Sequence, residues 1–324
     1  MKKLYIGAIC IMAAAFLWAF DGVVFTPQIM KWGLFDVPTI VFMLHAIGLV
    51  FLSYFYFTRK QEISSLKKID WVSFVLVGLF GGALGTMAIV AAILMVYSNG
   101  LNISVVLLLQ KLQPIFAIVL ALVFLKERPD KKFYIWAVLA LVGSYFLTFG
   151  FTKPDLGANG MLIPALLSLL AAFSFGSSTT FSKRAVTNVS HGVGTLLRYF
   201  MTVIVMIIVL CVIALLKKSG VEMSYLGFGG FGLLNVKLMG LFILIALTTG
   251  ATAIFIYYYG LKRVTATQST MYELVFPVSA IILEWLIHDK VLTAGQWVGA
   301  MLMSVAIIMI TRLQMLMLNK EVKV

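Results

Sequence analysis

The chain has 324 residues, of which 62% are hydrophobic and only 11% are charged. A soluble domain is typically about 45–50% apolar and about 25% charged, so this composition excludes a soluble globular protein and indicates an integral membrane protein. The net charge of +13 has two interpretations, a nucleic-acid partner or basic residues gathered in cytoplasmic loops. The positions of the basic residues along the chain distinguish these two interpretations.

Ten apolar runs follow one another, and each has about the length of roughly 20 residues needed to cross a bilayer as a helix. The first five are Leu4–Phe25, Val37–Phe57, Trp71–Tyr97, Leu101–Arg128 and Phe133–Gly150. The second five are Met161–Phe181, Thr195–Leu216, Val236–Gly260, Thr265–Ile287 and Gln296–Met317. The basic start and the alanines of the first run also occur in signal peptides, but this run continues past its alanines, so we interpret it as a span.

The loops between the runs alternate in charge. With the N-terminus inside, most lysines and arginines fall in inside loops such as 58–68 and 126–132. This is the pattern of the positive-inside rule, and it predicts that both termini are cytoplasmic without any nucleic-acid partner. Cys10 and Cys211 lie in apolar runs and have no CxxC or CxxH neighbour, which favours packing over a disulfide or a metal site.

Glycines mark two further regions. Those of the third run, at 78, 81, 82 and 85, are spaced closely enough to let neighbouring helices approach tightly in lipid. The connection 217–236 is the longest and is rich in glycine between 227 and 232. It is too short and too apolar for a soluble domain, and we interpret it as an interfacial loop.

The two sets of five runs match in order. Tyr97–Leu101 has a counterpart in Tyr257–Leu261, and Pro114 has one in Pro277. Because five is odd, the second set must be inverted relative to the first, which is the usual construction of secondary transporters. The predicted fold is therefore an all-α integral membrane protein with ten transmembrane helices in two inverted five-helix repeats. The predicted repeats are residues 1–152 and 156–318.

With this five-plus-five layout, the sequence resembles the EamA branch of the drug/metabolite transporter superfamily. The short turn between the third and fourth runs and the proline helix that ends at Leu125–Glu127 carry the resemblance along with the repeat. The resemblance implies a bacterial inner-membrane protein, most often an exporter of amino acids or other small metabolites. It also implies a central cavity lined by the first, third, fourth, sixth, eighth and ninth spans.

Polar residues in the fourth and ninth runs are the main candidates for substrate binding. Lys111 lies roughly 12 Å into its helix at about 1.5 Å per residue, too deep to reach the interface easily, so it requires a partner or a wet cavity. It either binds a substrate anion or forms an ion pair with Glu273. Glu273 in turn is either that partner or a proton carrier. Gln110 and Gln113 flank Lys111, and the repeat sets Gln110 opposite Glu273.

Other candidates carry two interpretations each. Pro114 and Pro277 each remove a backbone hydrogen bond within a span, which suits either a hinge or a static bend. Trp18 and Tyr258 are candidates for lining the cavity, although aromatic residues near span ends also form interfacial belts. Asp21 either binds substrate or is wetted at the interface, and the second interpretation is slightly favoured.

Three remaining polar residues in the spans are given ordinary structural roles. Arg198 lies early in the seventh run and is expected to reach the cytoplasmic headgroups, and Glu284 is expected to be an interfacial anchor. His45 is expected to be a hydrogen-bonded core residue rather than a pH switch.

We therefore expect a secondary active transporter that exports small metabolites, amino acids above all, by alternating access. A nucleotide-sugar or lipid-linked-sugar carrier of the same superfamily is the alternative. The chain has no Walker-type loop, no HExxH and no GxSxG, so ATP hydrolysis and an enzymatic function are disfavoured. The expected partners are a small-molecule substrate and membrane lipid. A coupled proton and a homodimer are open alternatives, and no cofactor, metal or nucleic acid is expected.

Overall fold

The computed structural model describes residues 2–34, 36–99, 101, 103–153, 160–220, 232, 234–289 and 291–321. In these residues the chain is helical, and ten helical segments are long and apolar enough to cross a membrane. The predicted all-α fold with ten spans is thus confirmed. The predicted boundary between residues 152 and 156 and most of the glycine-rich connection lie outside the described residues, as does the side chain of Tyr97.

Five spans are single helices, which reflects their uninterrupted apolar sequences. Spans 2, 5, 6, 7 and 10 are Val37–Thr58, Lys131–Phe149, Leu162–Ala185, His191–Lys218 and Ala294–Glu321. Hydrogen bonds from backbone N–H groups to the side chains of Asp36, Asp130 and Ser190 cap spans 2, 5 and 7, because these oxygens accept the first free donors of a helix. A short helix, Lys60–Ser64, joins spans 2 and 3.

Three other spans contain a π-helical segment. Span 1 is Lys2–Phe20, the π segment Asp21–Phe25 and Thr26–Lys31. Span 3 is Lys68–Val77, the π segment Gly78–Leu84 and Gly85–Ser98. Span 8 is Val236–Ile245, the π segment Ala246–Gly250 and Ala251–Leu261. Such segments are rare and frequently occur at functional sites.

Spans 4 and 9 are broken rather than simply bent. Span 4 is Ile103–Gln110 and Gln113–Phe124, and span 9 is Ala266–Tyr272 and Val275–His288. Each break lies just before a proline, because Pro114 and Pro277 have no N–H to donate to a carbonyl one turn earlier. The breaks therefore place Lys111 and Glu273 at the turns themselves.

Close backbone contacts hold the spans together, as the glycine spacing predicts. Added Cβ atoms on Gly81 and Gly82 of span 3 would overlap the side chains of Ser178 in span 6 and Thr202 in span 7. Spans 5 and 10 pack along much of their length, and a Cβ on Gly299 would lie 2.6 Å from the Gly143 carbonyl oxygen. In lipid, the burial of apolar surface does not by itself drive helices together. Small residues instead let the helix backbones approach closely enough for van der Waals contact.

Candidate functional site

A large cavity of about 1510 Å³ lies between the two halves. It exceeds the roughly 300–1,000 Å³ of most small-molecule pockets. Its walls come from the six spans that the family resemblance implies, with smaller contributions from spans 2, 5, 7 and 10. The cavity therefore has room for a metabolite and part of its hydration shell.

Among the described residues, the cavity lining reaches one face of the molecule and stops short of the other. Its lining extends to Thr26, Pro27 and the connection 291–296, which lie where spans 1 and 9 end. No residue of the loops 59–67, 125–130, 186–190 or 262–265, all of which are described, lines it. We call the face with these four loops, where span 1 begins and span 10 ends, the terminal face, and the other the open face.

Hydrogen bonds between the two halves close the terminal face. Glu127, at the end of span 4, accepts bonds from the N–H groups of Ala266 and Thr267 at 2.7 and 3.0 Å. Glu62 accepts one from the N–H of Ser190 at 2.7 Å. Both carboxylates of the first half thus lie at helix N-termini of the second half, where negative charge is stabilised.

Glu273 is the centre of a polar cluster at the inner end of the cavity. Its carboxylate accepts hydrogen bonds from Gln113 Nε2 at 2.8 Å, Tyr257 Oη at 2.8 Å and Ser269 Oγ at 3.2 Å. The bond from Gln113 links the breaks of spans 4 and 9. Gln110, which the repeat sets opposite Glu273, donates from Nε2 to Gln113 Oε1 at 3.5 Å; its symmetric relation to Glu273 stays a prediction.

Lys111 lies on the cavity wall with 9% of its surface exposed. Its Nζ donates to Thr148 Oγ1 at 3.1 Å, and no carboxylate of the described residues lies within ion-pair distance of it. The alternative of an ion pair with Glu273 is therefore wrong for this conformation, because the Glu273 oxygens bind neutral donors. The Lys111 side chain, which is buried and has no carboxylate within ion-pair distance in the described residues, thus faces the cavity that a solute would occupy.

Most of the remaining candidate residues line the cavity, but one does not. Trp18, Asp21, Pro114 and Pro277 line the cavity, but Tyr258 does not. Tyr258 is fully buried, and its hydroxyl contacts Ser182 Oγ at 2.9 Å. The neighbouring tyrosine, residue 257, reaches the cavity instead and packs against Trp18 with ring centroids 5.4 Å apart.

Comparisons with known proteins identify the family. A profile described as the EamA-like transporter family matches residues 5–149 and 162–312. The chain belongs to the EamA-like transporter family. It is 42% identical over 311 residues to a protein of Fusobacterium nucleatum named "Riboflavin transporter ImpX", an alignment that covers 95% of this chain and 98% of the relative. A solved crystal structure that is 15% identical matches with a TM-score of 0.67 over 94% of this chain and 95% of its own, which supports the fold alone.

This EamA-like protein is therefore a membrane transporter, and the cavity is its candidate substrate site. The family profile matches each half separately. The inverted relation between the halves stays a prediction.

Sequence reasoning placed Arg198 wrongly. The guanidinium does not reach the headgroups but lines the cavity, where Nη1 contacts Ser178 Oγ at 3.4 Å and Nε has no partner in the described residues. No pattern in the sequence signals this placement. In the structure Gly81 makes room for it, because a Cβ there would overlap the Ser178 side chain and lie 3.0 Å from Arg198 Nη2.

Two carboxylates also lie deeper in the protein than predicted. Asp21 is on the cavity wall, and its Oδ1 is buried rather than wetted at an interface. Glu284 lines the cavity rather than serving only as an interfacial anchor. For His45 the expected hydrogen bond is confirmed, as Nδ1 bonds the Val41 carbonyl oxygen at 2.8 Å. The EamA-like cavity thus carries both charge signs along with its aromatic wall.

Proposed function

We propose that this protein transports riboflavin across the bacterial inner membrane. The observation that carries the proposal is the 42% identity, over almost the full length of both chains, to a relative named as a riboflavin transporter. The chemistry of the cavity supports it, because its walls combine aromatic side chains with neutral and charged polar groups.

The substrate is a flat, largely apolar ring system that carries carbonyl groups and a polyhydroxylated chain. Trp18 and Tyr257 offer aromatic surfaces against which a flat ring can pack. Gln110, Gln113 and Lys111 lie on the same cavity wall and supply the few convergent polar groups that orient a ligand in an apolar pocket. We expect the ring at the aromatic pair and the hydroxyls toward the span 4 break.

Transport would proceed by alternating access. In the present conformation the open face admits solute, and the hydrogen bonds of Glu62 and Glu127 close the terminal face. From the positive-inside pattern we expect the terminal face at the cytoplasm, so this conformation would face outward. Rearrangement at the breaks beside Pro114 and Pro277 would open the terminal face and close the other, as discontinuous helices do in secondary transporters.

The test is riboflavin binding to the purified protein and its movement into and out of proteoliposomes. We expect saturable binding and counterflow with riboflavin. Amino acids and nucleotide sugars, the classes that the family resemblance suggested, should neither compete nor move. If an amino acid is transported and riboflavin is not, the proposal is wrong and the amino acid exporter takes its place. Measurement in both directions decides between uptake and export.

A matched pair of tryptophan variants locates the ring site. Trp18→Leu should weaken riboflavin binding about fivefold or more, since aromatic stacking on a flat ring system is worth roughly 1–3 kcal/mol. Trp297→Leu is the control, because Trp297 is exposed, pairs with Trp285 and lies outside the cavity lining. Equal effects of the two substitutions would place the ring elsewhere.

A further inference from the structure

Arg198 places a guanidinium on the cavity wall with one edge unused. Its Nη1 lies 3.4 Å from Ser178 Oγ and 3.5 Å from Tyr258 Oη, and both distances are long for hydrogen bonds. Nε is buried and has no acceptor in the described residues. Nη2 has no acceptor there either, but it is not fully buried. The edge formed by Nε and Nη2 therefore bonds to no atom of the described part of the chain.

No nearby carboxylate balances this charge. Within the described residues, no carboxylate lies within ion-pair distance of Arg198, and the carboxylate of Glu273 instead accepts three hydrogen bonds from neutral donors. Arginine stays charged in proteins and has five N–H donors but no acceptor. A charged group in a membrane protein is costly unless it is paired or faces a wet cavity. The unused edge therefore requires an acceptor from the contents of the cavity.

Arg198 is a near neighbour of the aromatic pair in the cavity wall. The rings of Trp18 and Tyr257 have centroids 5.4 Å apart, and those of Tyr257 and Tyr258 are 5.8 Å apart. The Cζ atom of Arg198 lies 6.0 Å from the centroid of the Tyr258 ring. Two short steps thus connect the guanidinium with the surface on which a flat ring can pack.

Span 6 provides a second connection between the same groups. Tyr257 Oη lies 3.5 Å from Thr179 Oγ1, and the preceding residue, Ser178, contacts the guanidinium. Gly81 of span 3 leaves space for this arrangement, since an added Cβ would lie 3.0 Å from Arg198 Nη2. All five residues line the cavity, so the guanidinium and the aromatic pair belong to one stretch of its wall.

The donors of Arg198 match one part of the proposed solute better than another. In a flavin ring, N1 and the C2 carbonyl oxygen are adjacent in the ring plane and can only accept hydrogen bonds. A guanidinium presents its donors as a planar fork that suits two such acceptors. The hydroxyls of the ribityl chain both donate and accept, as do the amides of Gln110 and Gln113. The span 4 break therefore suits the chain, and Arg198 suits the ring edge.

We propose that Arg198 binds the edge of the flavin ring that carries N1 and the C2 carbonyl, through Nη2 and Nε. This inference rests on the proposed function and adds to it the residue that recognises the ring. The plane of the ring would pack on Trp18 and Tyr257, while the hydroxyls of Ser178 and Tyr258 hold the guanidinium in place. Selection then depends on the acceptors of the ring edge as well as on a flat shape.

The test combines two proteins with two ligands, and Kd is measured by calorimetry on purified protein. In 1-deazariboflavin a C–H group replaces N1 and would face the donors of Arg198. We expect wild type to bind it about tenfold or more weakly than riboflavin, because a hydrogen bond to a charged group is lost. Arg198→Met should weaken riboflavin binding by a similar factor. It should weaken 1-deazariboflavin binding by less, since one contact can be lost only once.

Matched controls separate this contact from general effects. The ligand 5-deazariboflavin carries the same change at N5 and should bind wild type as riboflavin does. Arg198→Lys keeps the charge but not the fork and should restore only part of the affinity. Arg312→Met should bind riboflavin as wild type does, because Arg312 is exposed and lies outside the cavity lining.

Three outcomes would contradict the inference, and they differ in what else they affect. Equal wild-type affinities for riboflavin and 1-deazariboflavin overturn the ring-edge contact and leave the riboflavin proposal standing, and this comparison needs no variant to fold. Flavin mononucleotide that binds more tightly than riboflavin, with the advantage lost in Arg198→Met, would assign Arg198 to a phosphate instead. A wild type that binds none of these flavins refutes the proposed function and this inference together.

Discussion

Gln113 Nε2 donates to Glu273 Oε2 at 2.8 Å, across a sequence separation of 160 residues. The two residues lie at the breaks of spans 4 and 9, so this bond connects the irregular segments of the two halves at the inner end of the cavity. A hydrogen bond to a charged group contributes about 1.5–3 kcal/mol. Its loss should therefore change the relative free energies of the conformations that transport requires.

We expect Gln113→Leu and Glu273→Gln each to reduce the riboflavin counterflow rate about tenfold or more. The double variant should be slowed by less than the product of the two single effects, because the bond that both substitutions disturb can be lost only once. The counterflow rates of the wild type, the two single variants and the double variant, measured in proteoliposomes, form a double-mutant cycle. Effects that multiply in the double variant would show that the two residues act separately.

Lys111 is expected to matter for solute selection rather than for stability. Lys111→Met keeps most of the length of the side chain and removes its charge and its donor to Thr148 Oγ1. Riboflavin affinity should fall at least about tenfold if the ammonium donates to the ligand, since such a bond contributes about 1.5–3 kcal/mol. Thr148→Val removes the protein partner of Lys111 but not its charge, and should change affinity less. A wild-type affinity in Lys111→Met would remove this residue from the site.

The ten spans and the placement of Lys111 and Glu273 at a cavity could be predicted from the sequence, because charges are rare within apolar runs. The sequence did not reveal how the breaks align. A proline indicates that one backbone donor is missing, but not at which residue before it the helix turns. In span 4 the turn lies between Gln110 and Gln113, and it is Gln113 that donates a hydrogen bond to Glu273. The choice between Tyr257 and Tyr258 depends on a helix rotation of one residue, which no pattern in an almost wholly apolar span determines.

Glu127 is expected to hold the terminal face closed. Glu127→Gln removes the charge that accepts from the N–H groups of Ala266 and Thr267. Because hydrogen bonds to charged groups contribute about 1.5–3 kcal/mol, the exchange of these amides with deuterium should accelerate about tenfold or more. Mass spectrometry of peptides from 262–270 measures it. Asp130→Asn is the control, since Asp130 is exposed and accepts from Lys132 of its own helix. Equal exchange in wild type and Glu127→Gln would contradict the closure role.

Glu62 gives this closure a dependence on pH. Partial burial acts to raise the pKa of Glu62, but the hydrogen bond from the Ser190 N–H, with Arg59 and Lys262 nearby, outweighs it and holds the pKa below its ordinary value of 4.5. A lowered pKa means that the contact stabilises the closed face above that ordinary value and loses this effect as pH falls through the lowered one. Deuterium exchange near Ser190 should therefore be faster in Glu62→Gln than in wild type at neutral pH, and the difference should vanish in strong acid. A pH-independent difference would exclude the carboxylate as its cause.

Gly299 should be required for the packing of span 10 on span 5 rather than for solute recognition. In Gly299→Ala the new Cβ would overlap the backbone N of Leu147 and lie 2.6 Å from the Gly143 carbonyl oxygen. Backbone atoms cannot move aside as a side chain does, so we expect a loss of about 1–3 kcal/mol of stability and a lower Tm in detergent. Gly240→Ala is the matched control: nothing lies within 4 Å of its added Cβ, and alanine favours a helix by up to about 1 kcal/mol over glycine, so its Tm should stay level or rise. If Gly299→Ala unfolds at the wild-type temperature, spans 5 and 10 do not pack as closely as described.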